Sequence, residues 1–205
     1  MWYSIAIAVL VGYMLGNLNG AVCMSALMHD DVRSHGSGNA GLTNFIRNYG
    51  AGKSAFVILI DAGKAVLACA AGGLLLQPYY DFITGAAVGG LAVMTGHVFP
   101  ALLGFRGGKG ILSGLFIAVM VDWRIALIIL GVFAIAYLLT QYVSLGSVLA
   151  AITFAAMFVV FHNDNLVVML CGVLMGTLST FMHRGNIVRL LKGEERKTNL
   201  FKKSK

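Results

Sequence analysis

Long apolar stretches are broken by a few short polar ones along this chain, and that alternation predicts its elements. Apolar runs point to helices over about residues 4–27, 54–76, 82–102, 125–140, 144–161 and 166–182. Runs of this kind suit the ~30 Å hydrocarbon core of a bilayer. A further run, 111–121, is too short to cross it at 1.5 Å of rise per residue, and is expected to begin partway into the membrane. The predicted fold is therefore all-α. It is one polytopic integral membrane domain over 1–205, with about seven transmembrane helices, one of them short, and a basic tail over 193–205.

Polar residues inside the apolar runs refine this picture. Asn17 and Asn19 interrupt the first helix beside Gly12, Gly16, Gly20 and Ala21, small residues that let helix backbones approach in lipid. The asparagines read as interhelical hydrogen-bonding groups. Asp61 and Lys64, three residues apart in the second helix, share a face and should pair inside the bundle. A structural ion pair and a supporting role for a site remain equally open. Pro100 ends the third helix, because proline is poorly tolerated further inside. His162, between 144–161 and 166–182, reads as a solvated loop residue.

Composition agrees with a membrane protein: 59% of the 205 residues are hydrophobic and 11% charged, against roughly a quarter charged in soluble domains. The first apolar run lacks a basic leader and a small-residue cleavage site, so it reads as a retained helix. Cys23, Cys69 and Cys171 lie in apolar runs and suggest neither disulfide nor metal. The net charge of +7 is unevenly placed. Arg33, Arg47, Lys53, Arg106, Lys109 and the tail from His183 fall on one side of the predicted topology, and only Arg124 falls in a loop on the other. By the positive-inside rule the first side is cytoplasmic and the N-terminus lies outside. This one-sided charge is not a nucleic-acid footprint, and no nucleic-acid partner is expected.

The sequence stops being generic in the polar loop over 29–53. There His35-Gly-Ser-Gly-Asn-Ala-Gly-Leu-Thr-Asn-Phe-Ile-Arg47 combines glycines, small polar side chains and one arginine. Gly36 and Gly38 allow backbone to approach a ligand closely. Ser37, Asn39, Thr43 and Asn44 offer hydrogen bonds, and Arg47 a planar fork for phosphate or carboxylate. A second anion-handling stretch, Gly104-Phe-Arg-Gly-Gly-Lys-Gly110, opens the short helix. The N–H groups and positive dipole end of such a turn favour an anion, and Arg106 and Lys109 add charge. The topology places both stretches and the tail on one face, where they can converge.

Several other patterns fail. Gly52-Lys53-Ser54 resembles the end of a P-loop, but Arg47 stands where the first glycine belongs and a helix precedes where a strand is required. No His lies five residues before an Asp, as in thioester-dependent acyltransferases. No Gly-x-Ser-x-Gly elbow and no metal-ligand spacing occur. No metal and no cofactor are expected.

Taken together, Gly36 to Arg47, Gly96-His-Val-Phe-Pro100 with Gly104 to Gly110, and His183 to Glu195 resemble three motifs of one family. That family is the acyl-phosphate:glycerol-3-phosphate acyltransferases of the bacterial inner membrane. Asp61-x-x-Lys64 and Tyr142-Val-Ser-Leu-Gly-Ser147 also look familial, and the resemblance covers nearly the whole chain. Ala40, Leu42, Arg106 and Gly185 depart from the family's usual residues, as does Asn17-Leu-Asn19 from its Ser-Ile-Pro.

The resemblance implies acyl transfer from acyl phosphate to the 1-hydroxyl of glycerol 3-phosphate, at a site facing the cytoplasm. It implies contact with membrane lipids, and possible functional coupling to the enzyme that makes acyl phosphate. Ser37, Arg47, Lys109, His183, Asn186 and Glu195 become the candidate catalytic residues. Gly36, Gly38, Asn39, Thr43, Asn44, His97, Arg106, Gly107, Gly108 and Gly110 become candidate substrate-binding residues. The proton acceptor stays open among His183, Glu195 and a substrate phosphate oxygen. A transporter for an anionic lipid or phosphate would share the helices and loops, but it should show internal repeats and paired broken helices. A scaffold holding anionic lipid through its basic tail leaves the first two motifs unexplained.

Overall fold

The computed structural model describes residues 1–198; of the basic tail assigned to 193–205, residues 199–205 lie outside the described residues. Among the described residues there are ten α-helices and no strand. They are α1 (Trp2–Gly16), α2 (Gly20–Ala26), α3 (Leu42–Tyr49), α4 (Ser54–Leu76), α5 (Phe82–Val98), α6 (Ile111–Val121), α7 (Trp123–Thr140), α8 (Val143–Phe161), α9 (Leu166–Met182) and α10 (Arg184–Leu191). Two 3₁₀ turns, Val32–Ser34 and Ala101–Leu103, complete the order.

By length and apolarity, α4, α5 extended to Leu103, α7 and α8 can each cross a membrane. Two more spans arise if each bent pair is one crossing: α1 with α2, bent by 43°, and α9 with α10, bent by 54°. The count is thus four to six, with α6 a shorter apolar helix beside them. The bend after α1 falls where the asparagines were expected to interrupt the helix. Asn19 caps α2 by accepting from Val22 N at 3.0 Å, and its amide donates to Ala40 O at 2.9 Å. Asn17 accepts from Leu102 N at 3.0 Å. Both asparagines therefore tie the bend to the polar loops.

Small residues set the helix spacing. A Cβ at Gly96 would stand 2.2 Å from Tyr13 O, and one at Gly89 2.2 Å from Ala68 O. In lipid such contacts replace the hydrophobic drive that holds soluble helices together. The larger core runs through α4 to α9 and buries Met94, Ile117, Phe154, Phe158 and Met175. A smaller one gathers Ala21, Val32, Phe45 and Val57 under the polar loop.

Three sequence readings need revision. The stretch 29–53 is not all loop, because α3 lies inside it. Leu42, Phe45, Ile46 and Tyr49 fall at helical spacing on one face, and Phe45 is fully buried against Tyr49. The tail from His183 likewise begins with α10. His162 is not solvated. Its side chain is only 15% exposed, stands 3.3 Å from Asp122 Oδ2 and packs on Phe158.

Candidate active site

The polar loop is folded by Asn44. Its amide donates to the carbonyls of Val32, His35 and Asn39 at 3.0–3.1 Å, and its Oδ1 accepts from Ser37 N at 3.1 Å. Gly36 sits at φ +61° over this hub, where a Cβ would lie 2.4 Å from Asn44 Oδ1. The loop therefore curls back over the start of α3. Ser37, Asn39, Thr43 and Arg47 come to line one wall of a cavity of about 320 Å³.

The glycine-rich turn forms the facing wall. Gly108 N donates to His97 O at 3.1 Å, and a Cβ at Gly107 would be 2.0 Å from that carbonyl. Gly110 opens α6 in the left-handed region at φ +82°. The first turn of α6 thus borders the cavity through Gly110, Ile111 and Leu112, with the unpaired N–H groups of a helix start. Ser179 Oγ donates to Lys109 O at 2.9 Å and fixes the turn against α9.

The Lys109 side chain begins a hydrogen-bonded chain. Its Nζ donates to Asn186 Oδ1, Asn186 Nδ2 donates to Glu195 Oε1 at 3.2 Å, and Arg189 Nε donates to Glu195 Oε2 at 2.8 Å. Burial, with the Arg189 and Arg47 charges adding to it and Glu195 opposing, holds the Lys109 ammonium down to about 8. His183, at the bend between α9 and α10, points Nδ1 at Ser179 O, 2.8 Å away. A carbonyl only accepts, so Nδ1 carries the proton and Nε2 presents a lone pair.

The other half of the cavity is apolar. Leu115 of α6, Ile129, Leu130 and Phe133 of α7, Ala150, Ala151 and Phe154 of α8, and Met175 of α9 line it. The arrangement is amphiphilic, with three cationic side chains at one end and a channel among membrane helices at the other. It can hold a phosphate head with a lipid tail attached.

Most candidate residues named from the sequence border this one cavity: Ser37, Asn39, Thr43, Asn44, Arg47, His97, Lys109, Gly110, His183, Asn186 and Glu195. The bonds of the Asn44 side chain run to loop backbone or to the Asn48 side chain, so Asn44 organises the wall and does not present its amide to a ligand. Gly36, Gly107 and Gly108 are close-approach positions beside the wall, where a Cβ would meet another atom at 2.0–2.4 Å, whereas Gly38 is set apart by its left-handed φ of +68°. Arg106 lies elsewhere, in a shallow cleft with Asp31, Arg33, Ser34, Leu103 and Gly104. Asp61, which the sequence left between two roles, borders the cavity and pairs with Lys64 at 2.8 Å. Arg189 also lines the wall; it is not among the candidates named from the sequence, although it lies within the His183 to Glu195 stretch that resembles the third motif and three residues after Asn186, on the same face of a short helix.

A family model described as Glycerol-3-phosphate acyltransferase matches residues 6–193. The glycerol-3-phosphate acyltransferase of Thermoanaerobacter sp. (strain X514) is 36% identical over 196 residues, covering 95% of this chain and 96% of the relative. That of Finegoldia magna is 38% identical over 189 residues, covering 92% and 93%. The structure is similar to a crystal structure of PlsY (YgiH), an integral membrane glycerol 3-phosphate acyltransferase, in its glycerol 3-phosphate form. The TM-score is 0.86 at 30% identity, over 97% of this chain and 100% of that one. The lysophosphatidic acid form of the same protein gives a TM-score of 0.82.

Proposed function

This chain belongs to the glycerol-3-phosphate acyltransferase family, and on that premise we propose that its acyl donor is an acyl phosphate. The acyl chain passes to the 1-hydroxyl of glycerol 3-phosphate. The products are 1-acyl-glycerol 3-phosphate (lysophosphatidic acid) and inorganic phosphate, the first acylation step of bacterial phospholipid synthesis. The observation that carries this reading is the single cavity, cationic at the Arg47–Lys109 end and apolar among α6 to α9.

An acyl phosphate is already a mixed anhydride. The protein needs to bring two anions together, offset their repulsion and aim the hydroxyl at the carbonyl carbon. Arg47, Lys109 and Arg189 supply the charge. Ser37, Asn39, Thr43 and the N–H groups at the start of α6 supply oriented donors. The hydroxyl oxygen forms the new ester bond, and the carbonyl–phosphate bond breaks with its electron pair leaving on phosphate. We assign the hydroxyl proton to His183 Nε2, whose lone pair the Ser179 contact supports. Both Glu195 oxygens are already engaged, by Asn186 and Arg189, which weakens that carboxylate as an acceptor. Ser37 as an acyl carrier lacks a neighbouring base.

We also propose a cytoplasmic orientation for the cavity, with the N-terminus outside, in a bacterial inner membrane. Arg47, Lys109 and Arg189 line the polar end of the cavity, and in sequence Arg33, Lys53 and Arg106 belong to the same two inter-helix loops as Arg47 and Lys109, an asymmetry that supports this orientation by the positive-inside rule. Functional coupling to the enzyme that makes acyl phosphate follows from the donor. The test is purified protein supplied with acyl phosphate and glycerol 3-phosphate. Phosphate release that depends on glycerol 3-phosphate is expected, and no product is expected from acyl-CoA. Efficient turnover of acyl-CoA would overturn the donor.

A further inference from the structure

The short helix α10 has two faces, and the cavity uses only one of them. It turns 54° away from α9. Toward the cavity it presents Asn186, buried and bonded to Lys109 and Glu195, and Arg189, bonded to Glu195. On the opposite side Arg184, Val188, Leu191 and Lys192 fall at helical spacing, and all four are exposed. Leu191, at 84%, is the most exposed large apolar side chain among the described residues.

That outer face continues a lipid-facing stripe. Leu170, Leu174 and Phe181 are exposed along one side of α9, and past the bend the stripe runs on through Val188 and Leu191. Bases first appear on it there. Arg184 lays its guanidinium 4.5 Å over the Phe181 ring, an apolar body beneath a cation, as at the headgroup level of a bilayer. Neither Arg184 nor Lys192 has an acidic partner among the described residues. The stretch 183–198 carries five bases against Glu194 and Glu195, and Glu195 is engaged by Arg189. Apolar side chains flanked by bases suit a helix lying in the membrane interface, and the bases there favour anionic lipid. We propose that the outer face of α10 docks on anionic phospholipid headgroups, and that this docking holds Asn186 and Arg189 in the cavity wall. One helix carries both faces, so a shift of either moves the other. A helix of eight residues is marginal alone, and contacts on its two sides set its place. By reciprocity, a ligand in the cavity also favours the docked helix.

The first test reads contact without turnover, so it stands apart from the acyl-transfer reading of the cavity. The full-length protein carries Leu191→Trp in a Trp2→Phe, Trp123→Phe background. It is placed in mixed bilayers of phosphatidylglycerol and phosphatidylcholine, with bromine on the acyl chains of one lipid at a time. Brominated phosphatidylglycerol should quench the indole more strongly, reporting about fivefold enrichment of that lipid at residue 191. Adding Arg184→Gln with Lys192→Gln should erase the difference. An indole quenched by neither lipid overturns the proposal. So does equal quenching by both, the result expected if the basic face serves an acidic soluble protein instead.

Kinetics test the coupling to the cavity, and this part does rest on the acyl-transfer reading. Glycerol 3-phosphate is water-soluble, so its KM is free of partitioning into the bilayer. As phosphatidylglycerol replaces phosphatidylcholine, that KM should fall by about threefold in the wild type. It should not fall in Arg184→Gln with Lys192→Gln, whose activity in phosphatidylcholine alone should match the wild type. Bulk surface charge acts the other way, because a negative bilayer repels an anionic substrate from both proteins. A wild-type KM that fails to fall, or a fall that the variant shares, overturns the coupling.

Discussion

Arg47 on α3 is met by Thr198, 151 positions later in the chain, with the guanidinium Nε donating to the threonine Oγ1 at 2.9 Å. Thr198 is itself anchored at the end of α7, its N–H donating to Gln141 O at 3.0 Å and its carbonyl accepting from the Tyr137 hydroxyl at 3.0 Å. The segment that contributes Glu195 to the cavity lining therefore also places a hydroxyl on the arginine assigned to phosphate.

A bound phosphate competes with that hydroxyl. Thr198→Ala should lower KM for glycerol 3-phosphate by up to about fivefold, since one neutral–charged hydrogen bond is removed from the empty site. Arg47→Ala should lower kcat/KM by about 10²-fold without loss of membrane insertion. A higher KM in Thr198→Ala would instead show that the threonine holds Arg47 in its binding pose.

The pH dependence follows from Lys109. An amine held down to about 8 is cationic below that pH and loses its charge as pH rises through it. The kcat/KM for glycerol 3-phosphate, which reports the free enzyme, should fall on the alkaline side of about pH 8. The substrate phosphate, with a second pKa of about 6, is already fully charged there. Lys109→Arg keeps its charge throughout. It should abolish that alkaline limb even if its absolute rate is lower, and a limb that persists would place the titration elsewhere.

The apolar half of the cavity should set how long an acyl chain can enter. Ala150 and Ala151 of α8 line it, and a large side chain at either position fills space there. Ala151→Phe should shift preference toward shorter acyl donors, read as the ratio of kcat/KM values across a chain-length series. A uniform loss at every length would point to disrupted helix packing.

Helix spacing makes a stability prediction. At Gly96 a Cβ would meet Tyr13 O at 2.2 Å, whereas at Gly63 nothing lies within 4 Å. Gly96→Ala should destabilise the protein by about 1–3 kcal/mol, because α1 must move away from α5. Gly63→Ala should be neutral or stabilising by up to about 1 kcal/mol, since alanine is the better helix former. Unfolding in detergent compares the two.

Features that reside within a single segment are legible from the residues alone. The apolar run 54–76 and the short run 111–121 reappear as α4 and α6 with the same bounds, because length and composition fix where a helix can lie in lipid. The Asp61–Lys64 pair was legible for the same reason, being one helical turn apart. So were the glycine and arginine positions of the two loops, whose spacing is local. The remaining features come from the way distant segments pack. Arg106 carries the same kind of motif signal as Lys109, yet it faces a different cleft. Asn44 spends its amide on loop backbone, Arg189 joins the wall from α10, and Lys64 reaches a histidine 33 residues away. Each of these depends on which chain-distant donors and acceptors are brought within about 3 Å of one another. A periodicity does not encode that, because in a buried site hydrogen bonds are satisfied by whatever partner the packing delivers.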